Sequence, residues 1–213
     1  MNAIITGATG LTGSLLTKKL ALAEEFRSVT ALVRRVPGDK PGNVDYKRIK
    51  FETIESEKFK GDIAFSCLGT TIKAAGDREI FKKIDFGYNL DFAKACRKNG
   101  IEKFVLLSAL GADPDSKIFY NRIKGELERE ITLLGFKHLS IIRPSLLDGP
   151  RTEWRTGELI ARRIMKFINP FLTGRLKKYR SVDIEKVTNI MLQEAFREVP
   201  GIKIVENNEI ISA

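Results

Sequence analysis

Three side chains in the middle of the chain have the types and the spacing of a proton-transfer site. Tyr120 and Lys124 stand four residues apart in the segment YNRIK, so on a helix both would project from one face. A phenol with a pKa of about 10 exchanges protons poorly at neutral pH, but a nearby ammonium group lowers that pKa. Ser108, in the segment LLSALGAD, would hydrogen-bond the same substrate oxygen as charge develops on it. We interpret Ser108, Tyr120 and Lys124 as candidate catalytic residues acting on a carbonyl or alcohol oxygen, although Tyr-x-x-x-Lys alone is also typical of a surface pair.

A glycine-rich turn near the N-terminus predicts a nucleotide site. In IITGATGLTGSLL the glycines Gly7, Gly10 and Gly13 recur every three residues, between an apolar run and a helical pattern. In such a turn the first glycine permits a tight bend, the second lets the backbone approach a pyrophosphate, and the third lets helix and strand pack closely. Free N–H groups at the start of the helix attract the phosphate charge. A tight turn without a ligand is the alternative, but the position between strand and helix favours a nucleotide.

The next apolar run indicates which dinucleotide would bind. A protein that binds NAD usually places an acid about 20 residues further on, where it accepts hydrogen bonds from the ribose. Here SVTALVRR ends in Arg34 and Arg35, and no acid follows until Asp39. Two guanidinium groups suit a 2′-phosphate, so the sequence favours NADP(H) over NAD(H). The alternative is that both are ordinary surface arginines.

Short apolar runs alternate with amphipathic stretches, which is typical of a parallel sheet covered by helices. The runs predict strands over 2–7, 28–35, 45–51, 63–69, 103–110 and 139–147, and an edge strand over 203–210. The amphipathic stretches predict helices over 11–24, 78–98, 116–134, 157–168 and 183–196. We therefore predict an α/β fold of the Rossmann type: a doubly wound, mainly parallel sheet with helices on both faces and a small C-terminal helical extension. One domain would span 1–213, with the substrate-side loops and C-terminal helices from about 148 onward.

Composition excludes several classes of protein. The 213 residues include two cysteines and one histidine, so we expect no disulfide framework, no metal site and no His-dependent nucleophile. We also expect no membrane span, because no apolar run approaches about 18 residues, and no signal peptide. Free thiols favour a reducing compartment, and we predict the cytoplasm.

The net charge of +10 is concentrated in part in the segment 151–180. Nucleic acid or an anionic membrane would bind such a segment, but no nucleic-acid motif accompanies the charge. A solvated helix face beside an anion-binding pocket is the favoured interpretation, and nucleic acid is an unlikely partner.

These motifs together resemble a known superfamily. TGATGLTG, LLSALGAD, YNRIK and IIRPSLL are similar to segments of the short-chain dehydrogenase/reductase superfamily, in its atypical branch. ALVRR, CLGTTIKAAG and YNRIKGELE resemble in particular the group that contains the human Tat-interacting short-chain-reductase-like protein and its bacterial relatives. The similarity runs from Ile4 to about Asn208.

The resemblance implies an NADP(H) site assembled from several segments. The pyrophosphate would lie against Gly7, Thr9, Gly10, Leu11, Thr12 and Gly13, and the 2′-phosphate against Arg34 and Arg35. The adenosine ribose and pyrophosphate would pass Leu68, Gly69 and Thr70. The nicotinamide and its ribose would meet Tyr120, Lys124, Pro144 and Leu147, with Arg155 as a further cofactor-facing residue. One residue departs from the pattern: Asp85 stands where many members have an asparagine that supports a proton relay.

The function expected from these residues is hydride transfer between NADP(H) and a small carbonyl or alcohol substrate. The resemblance also implies an alternative, a cofactor-binding regulator of a protein partner with little turnover. A nucleotide-sugar epimerase uses the same triplet but normally needs a larger C-terminal substrate domain. The helices that carry Asp85 and Tyr120 form the dimer face in many members, so the resemblance is compatible with a homodimer, and the sequence leaves the number of subunits open.

Overall fold

A seven-stranded sheet runs through the computed structural model, which describes residues 1–38, 42–149, 172 and 174–213. The predicted helix over 157–168, Arg155 and most of the basic segment lie outside the described residues. The strands of the sheet are β1 (Asn2–Thr6), β2 (Ser28–Val33), β3 (Val44–Arg48), β4 (Ile63–Ser66), β5 (Lys103–Leu107), β6 (His138–Arg143) and β9 (Gly201–Glu206). Two further strands, β7 (Leu147–Asp148) and β8 (Val182–Asp183), pair with each other.

All strand pairs in the large sheet are parallel, and their order is β3-β2-β1-β4-β5-β6-β9. This order reverses direction between β1 and β4, which is the switch point where doubly wound sheets bind their ligands. The carboxyl ends of β1, β2, β4 and β5 therefore meet at one edge. The predicted Rossmann-type fold is confirmed.

Helices cover both faces of the sheet. They are α1 (Leu11–Leu22), α2 (Ile72–Ala75), α3 (Arg78–Lys82), α4 (Asn89–Lys98), α5 (Phe119–Leu133), α6 (Ile184–Ala195) and α7 (Asn207–Ser212). A π-helical turn, Lys83–Tyr88, connects α3 to α4, and 3-10 helices span Phe51–Ser56 and Gly174–Tyr179. The helix predicted over 78–98 is thus present, with a wider turn inside it.

Two buried clusters hold the layers together, one on each face. On one face, Leu16 and Leu20 of α1 and Met191 of α6 share a cluster with Ile5 and Val105 of the sheet. On the other face, Phe92 of α4 and Leu127 of α5 share a cluster with Ile4 and Phe104. Alternate residues of each strand enter opposite clusters, which is why these strands appear as unbroken apolar runs.

The C-terminal segment is bound to the helical layer around α1. Lys19 of α1 pairs with Glu185 of α6 at 2.5 Å and donates to the Asn189 side chain at 2.5 Å.

The edge strand predicted over 203–210 is correct only in its first half. At Glu206 the chain turns into α7, because the side chains of Glu206 and Glu209 form a capping box at that helix start. The prediction of a single domain over 1–213 stays a prediction.

Five strands end two to four residues earlier than their apolar runs predict. β2 ends at Val33, β3 at Arg48, β4 at Ser66, β5 at Leu107 and β6 at Arg143. The residues left over, among them Arg34, Leu68 and Ser108, form the loops at the carboxyl edge of the sheet. These side chains line cavities at that edge and do not belong to the strands.

Candidate active site

The glycine turn lies between β1 and α1, where close backbone packing excludes side chains. Gly7 has φ 76°, and a Cβ atom placed there would lie 2.3 Å from the Cys67 carbonyl oxygen. A Cβ atom at Gly13 would lie 2.1 Å from the Gly7 carbonyl oxygen. The turn is therefore pressed against the end of β4 on one side and against α1 on the other.

The N-terminus of α1 fits an anionic ligand. Gly10 is the N-cap residue, so no side chain caps the helix, and the first turn of α1 contains no acidic residue. The Thr12 hydroxyl is buried, and among the described residues it has no hydrogen-bond partner. Uncapped N–H groups and an orphaned hydroxyl at one helix start are the donors that a pyrophosphate would satisfy. The cavity in front of them has a volume of about 690 Å³ and is also lined by Thr9 and Leu11.

A second cavity of about 630 Å³ adjoins the first on the far side of the glycine turn. Arg34 and Arg35 line it directly after β2, and Arg48 at the end of β3 joins them. Among the described residues none of the three arginines has an ion-pair partner. Sequence reasoning missed Arg48, although Val33 and Arg48 are register partners of adjacent parallel strands. Three exposed cations around one cavity fit a phosphate group beyond the adenosine.

The loop after β4 separates the two cavities. Leu68 and Gly69 line both of them, and Thr70 lines the larger one. Cys67 also lines both, but burial raises the pKa of its thiol to about 12, so the thiol stays protonated at neutral pH. This loop lies where the resemblance implies contact with the adenosine ribose and the pyrophosphate.

Tyr120 and Lys124 project from the first turns of α5 into the larger cavity. The Tyr120 ring packs against Phe81 of α3, with 5.8 Å between ring centroids. The next residue, Gly125, touches the loop after β5: a Cβ atom there would lie 2.2 Å from the carbonyl carbon of Asp113. Pro144 and Leu147 line the same cavity. The structure thus brings the three candidate catalytic residues together around the larger cavity with Thr9, Gly10, Leu11, Thr12, Leu68, Gly69, Thr70, Pro144 and Leu147. Gly7, Arg34 and Arg35 line only the second cavity, and Gly13 packs under the turn without lining either cavity.

Lys124 forms a buried ion pair that the sequence did not predict. Its Nζ lies 2.8 Å from Oδ1 of Asp85 in the π-helical turn, and the two residues are 4% and 1% exposed. Burial alone would lower the pKa of Lys124, but its interaction with the Asp85 carboxylate, and further ones with Tyr120 and Glu128, raise it above its usual value. The other oxygen of Asp85 accepts a hydrogen bond from the Thr70 backbone N–H at 2.7 Å.

Ser108 lines the larger cavity, but its hydroxyl donates a hydrogen bond to a residue that does not line that cavity. Its Oγ donates to the buried carboxylate of Glu128, one turn beyond Lys124 on α5. The same carboxylate accepts hydrogen bonds from Arg143 Nε at 3.1 and 3.2 Å. Hydrogen bonding to Glu128 is also the main reason why the pKa of Arg143 is raised. Glu128 was missed, although its spacing from Tyr120 and Lys124 places all three on one helix face.

Comparison with known proteins shows the family. The model of the family described as "NAD dependent epimerase/dehydratase family" matches residues 3–124, from β1 to the candidate catalytic lysine. This chain belongs to that family. In residues 1–38, 42–149 and 174–213, no helix is both long and apolar enough to cross a membrane.

Curated relatives from fungi match nearly the whole chain. "Protein FMP52, mitochondrial" of Candida albicans is 38% identical over 196 residues, covering 88% of this chain and 86% of the relative. The protein of the same name in Debaryomyces hansenii is 38% identical over 221 residues, covering 99% and 96%. These names contradict the predicted cytoplasmic location, which was wrong. Free thiols indicate a reducing environment, and they do not distinguish one reducing compartment from another.

Solved structures confirm the fold. The structure titled "MoeE5 in complex with UDP-glucose and NAD" has a TM-score of 0.73 at 16% identity, covering 100% of this chain and 80% of its own. Human epimerase family protein SDR39U1 with NADPH has a TM-score of 0.67 at 18% identity, covering 97% and 74%. The predicted membership in the short-chain dehydrogenase/reductase superfamily is confirmed, and the chain has an NAD(P)-binding fold. One of these neighbours holds NAD and the other NADPH, so they do not decide between the cofactors.

Proposed function

We propose that the protein is an NADP(H)-dependent oxidoreductase that transfers hydride between the cofactor and a small carbonyl or alcohol substrate. The observation that carries the proposal is that Tyr120 and Lys124 line the same cavity as the uncapped N-terminus of α1. A proton donor and a dinucleotide cradle in one cavity are the parts that reversible carbonyl reduction requires.

The preference for NADP(H) rests on the second cavity. Arg34, Arg35 and Arg48 present three positive charges there, and the described wall of that cavity contains no carboxylate that would accept hydrogen bonds from a 2′-hydroxyl. Guanidinium groups bind phosphate through paired hydrogen bonds, and they lack an acceptor for a hydroxyl. The Thr12 hydroxyl and the first N–H groups of α1 would hold the pyrophosphate.

The bound cofactor would supply a hydride to the carbonyl carbon. Tyr120 would donate its proton to the carbonyl oxygen, which completes the alcohol and leaves a tyrosinate that solvent reprotonates. The ammonium group of Lys124 attracts this tyrosinate, an effect that the carboxylate of Asp85 partly offsets, and it would also donate to a ribose hydroxyl. Because Ser108 donates its proton to Glu128, the expected donation from Ser108 to a negatively charged substrate oxygen would require that hydrogen bond to break. As arranged, the Ser108 oxygen would accept a hydrogen bond from the hydroxyl of an alcohol substrate.

Purified protein with NADPH and a panel of aldehydes, ketones and quinones tests the proposal. We expect NADPH consumption with at least one panel member, slower consumption with NADH, and loss of turnover in Tyr120→Phe with NADPH binding retained. Tyr179→Phe, at an exposed tyrosine, is the matched control and should keep wild-type rates. If wild type and Tyr120→Phe bind NADPH and neither turns over any substrate, the enzyme proposal fails and a cofactor-binding regulator is favoured.

Nucleotide-sugar epimerisation is a second candidate because of the family to which the chain belongs. It uses the same Tyr–Lys pair, and the MoeE5 structure is titled as a complex with UDP-glucose. The match covers 80% of the MoeE5 chain at 16% identity. UDP-glucose and UDP-galactose with NAD therefore belong in the assay, and interconversion of the two would favour the epimerase.

A further inference from the structure

The π-helical turn Lys83–Tyr88 gives Asp85 an unusual anchorage. π turns inside helices are rare and often occur at functional sites. Asn89 anchors this turn: its Nδ2 donates to the carbonyl oxygens of Ile84 and Asp85, both at 3.1 Å, and to that of Leu68 at 3.2 Å. Its Oδ1 accepts from Ser66 Oγ at 2.5 Å. Side-chain hydrogen bonds therefore fix the turn to the end of β4.

The carboxylate of Asp85 connects two parts of the candidate site. One oxygen pairs with Lys124 on α5 at 2.8 Å, and the other accepts from the Thr70 N–H in the loop after β4 at 2.7 Å. Both oxygens are occupied and the residue is 1% exposed. Asp85 thus places the lysine ammonium group relative to the loop that passes the cofactor site.

The charges around Tyr120 nearly cancel because of this pair. The titratable groups that line the larger cavity in the described residues are Cys67, Asp85, Tyr120 and Lys124. The Cys67 thiol is neutral, and Asp85 offsets the charge of Lys124. Behind the lysine, Glu128 of α5 is offset by Arg143 of β6, and on the α3 side Arg78 lies over the Phe119 ring at 5.1 Å.

We propose that Asp85 is a positioning residue that holds Lys124 in the site and sets the pH at which Tyr120 loses its proton. With Asp85 present, loss of the Tyr120 proton turns a neutral cluster into a negative one. Without the Asp85 charge, the same loss neutralises a buried positive charge and takes place at lower pH. Tyr120 and Lys124 titrate together, and the proton that leaves at lower pH is the first one lost from this pair.

The catalytic consequence rests on the proposed function, whereas the ionisation of Tyr120 is measurable without turnover. The experiment is a near-ultraviolet phenolate titration of Asp85→Asn and wild type, with Tyr120→Phe in each background to isolate Tyr120 from the other three of the four tyrosines. We expect the transition to move to lower pH by about one unit or more in Asp85→Asn. If turnover is found, the pH limb of kcat/KM should move in the same direction. An unchanged Tyr120 transition overturns the inference, even if the enzyme is active. A shifted transition supports the inference even if the protein is inactive, and the lack of activity then counts only against the proposed function.

Three further variants keep the test decisive. Asp91→Asn removes a surface carboxylate of α4 and the same unit of total charge, so it should leave the Tyr120 transition in place. The double variant Asp85→Asn/Lys124→Gln replaces both members of the buried ion pair by neutral amides, so it leaves no unpaired charge at that position and should fold even if the single variant does not. Its Tyr120 transition should lie closer to that of wild type than to that of Asp85→Asn. If the single variant does not fold, the comparison is with Lys124→Met, which keeps the Asp85 charge. The Tyr120 transition of the double variant should then lie at a measurably lower pH than that of Lys124→Met. A double variant that titrates together with Lys124→Met overturns the inference.

Discussion

The hydroxyl of Ser108 donates to the carboxylate of Glu128, which Arg143 holds from the other side. The serine at the end of β5 is thereby tied to the helix that carries Tyr120 and Lys124, and through Arg143 to β6. Arg143 also pairs with Glu206 at 2.9 Å, so the network extends to the edge strand β9. A candidate catalytic residue thus belongs to the same network that joins four structural elements.

Replacing Glu128 should destabilise the protein. Glu128→Gln leaves the partly buried guanidinium of Arg143 without its main counter-charge, and removal of one partner of such a pair costs about 3 kcal/mol. Urea unfolding followed by circular dichroism measures the change in the free energy of unfolding. Glu126→Gln, two residues earlier on α5 and only loosely paired with Arg122, is the matched control and should change it by less than about 0.5 kcal/mol. Equal effects of the two substitutions would refute this account of the network.

Replacing Arg48 should weaken the binding of NADPH more than that of NADH. A hydrogen bond to a charged group contributes about 1.5 kcal/mol, so Arg48→Ser should raise the NADPH Kd by about tenfold. The NADH Kd should stay nearly constant, because NADH lacks the 2′-phosphate. Fluorescence titration measures both constants, and Arg129→Ser, at an exposed arginine of α5, controls for total charge. A parallel loss of affinity for both cofactors would contradict the assignment of this cavity.

Replacing Gly7 by alanine should be costly. The residue has φ 76°, and its Cβ atom would lie 2.3 Å from a backbone carbonyl oxygen, so both conformation and space oppose a side chain. We expect a loss of about 2 kcal/mol or more in the free energy of unfolding. Gly38→Ala meets nothing within 4 Å and has no positive φ, so it should be nearly neutral. Thermal unfolding of the two variants side by side decides the matter.

Cys67 should resist alkylation although it lines both cavities. Because burial raises the pKa of its thiol to about 12, the reactive thiolate is a trace species at pH 8. Iodoacetamide at that pH should leave the folded protein unmodified at Cys67, and unfolded protein should react at both of its cysteines. Peptide mass mapping reads out each site. Rapid modification of folded protein at Cys67 would show that the thiol ionises more readily than its burial implies.

Much of the fold was predictable because its signals are local. Buried parallel strands appear as short apolar runs, and the turn glycines mark the switch from the period of a strand to that of a helix. The boundaries at Ser66 and Leu107 were not predictable, because apolar and small residues continue into the loops that line the cavity. The division of 203–210 between β9 and α7 depends on a cap formed by two glutamates, which pattern alone does not reveal.

The partners of the candidate site residues could not be predicted, because they depend on helix rotation and strand order. Asp85 reaches Lys124 through a π-helical turn, and no periodicity announces that turn. Arg48 joins Arg34 and Arg35 only once β3 is known to lie beside β2. The cellular location was mispredicted because free thiols indicate a reducing environment and do not distinguish the cytoplasm from other reducing compartments.

The contacts of α1 with α6 have a consequence for how the chain can be divided. The family match ends at Lys124, yet α1 shares its buried cluster with α6, which begins at Ile184. A fragment cut at the end of the match would lose β6 and β9 and leave Leu16 and Leu20 without Met191. The end of the family match is therefore not a position at which the folded chain can be cut, because the helix that follows the glycine turn packs against residues from the C-terminal 30.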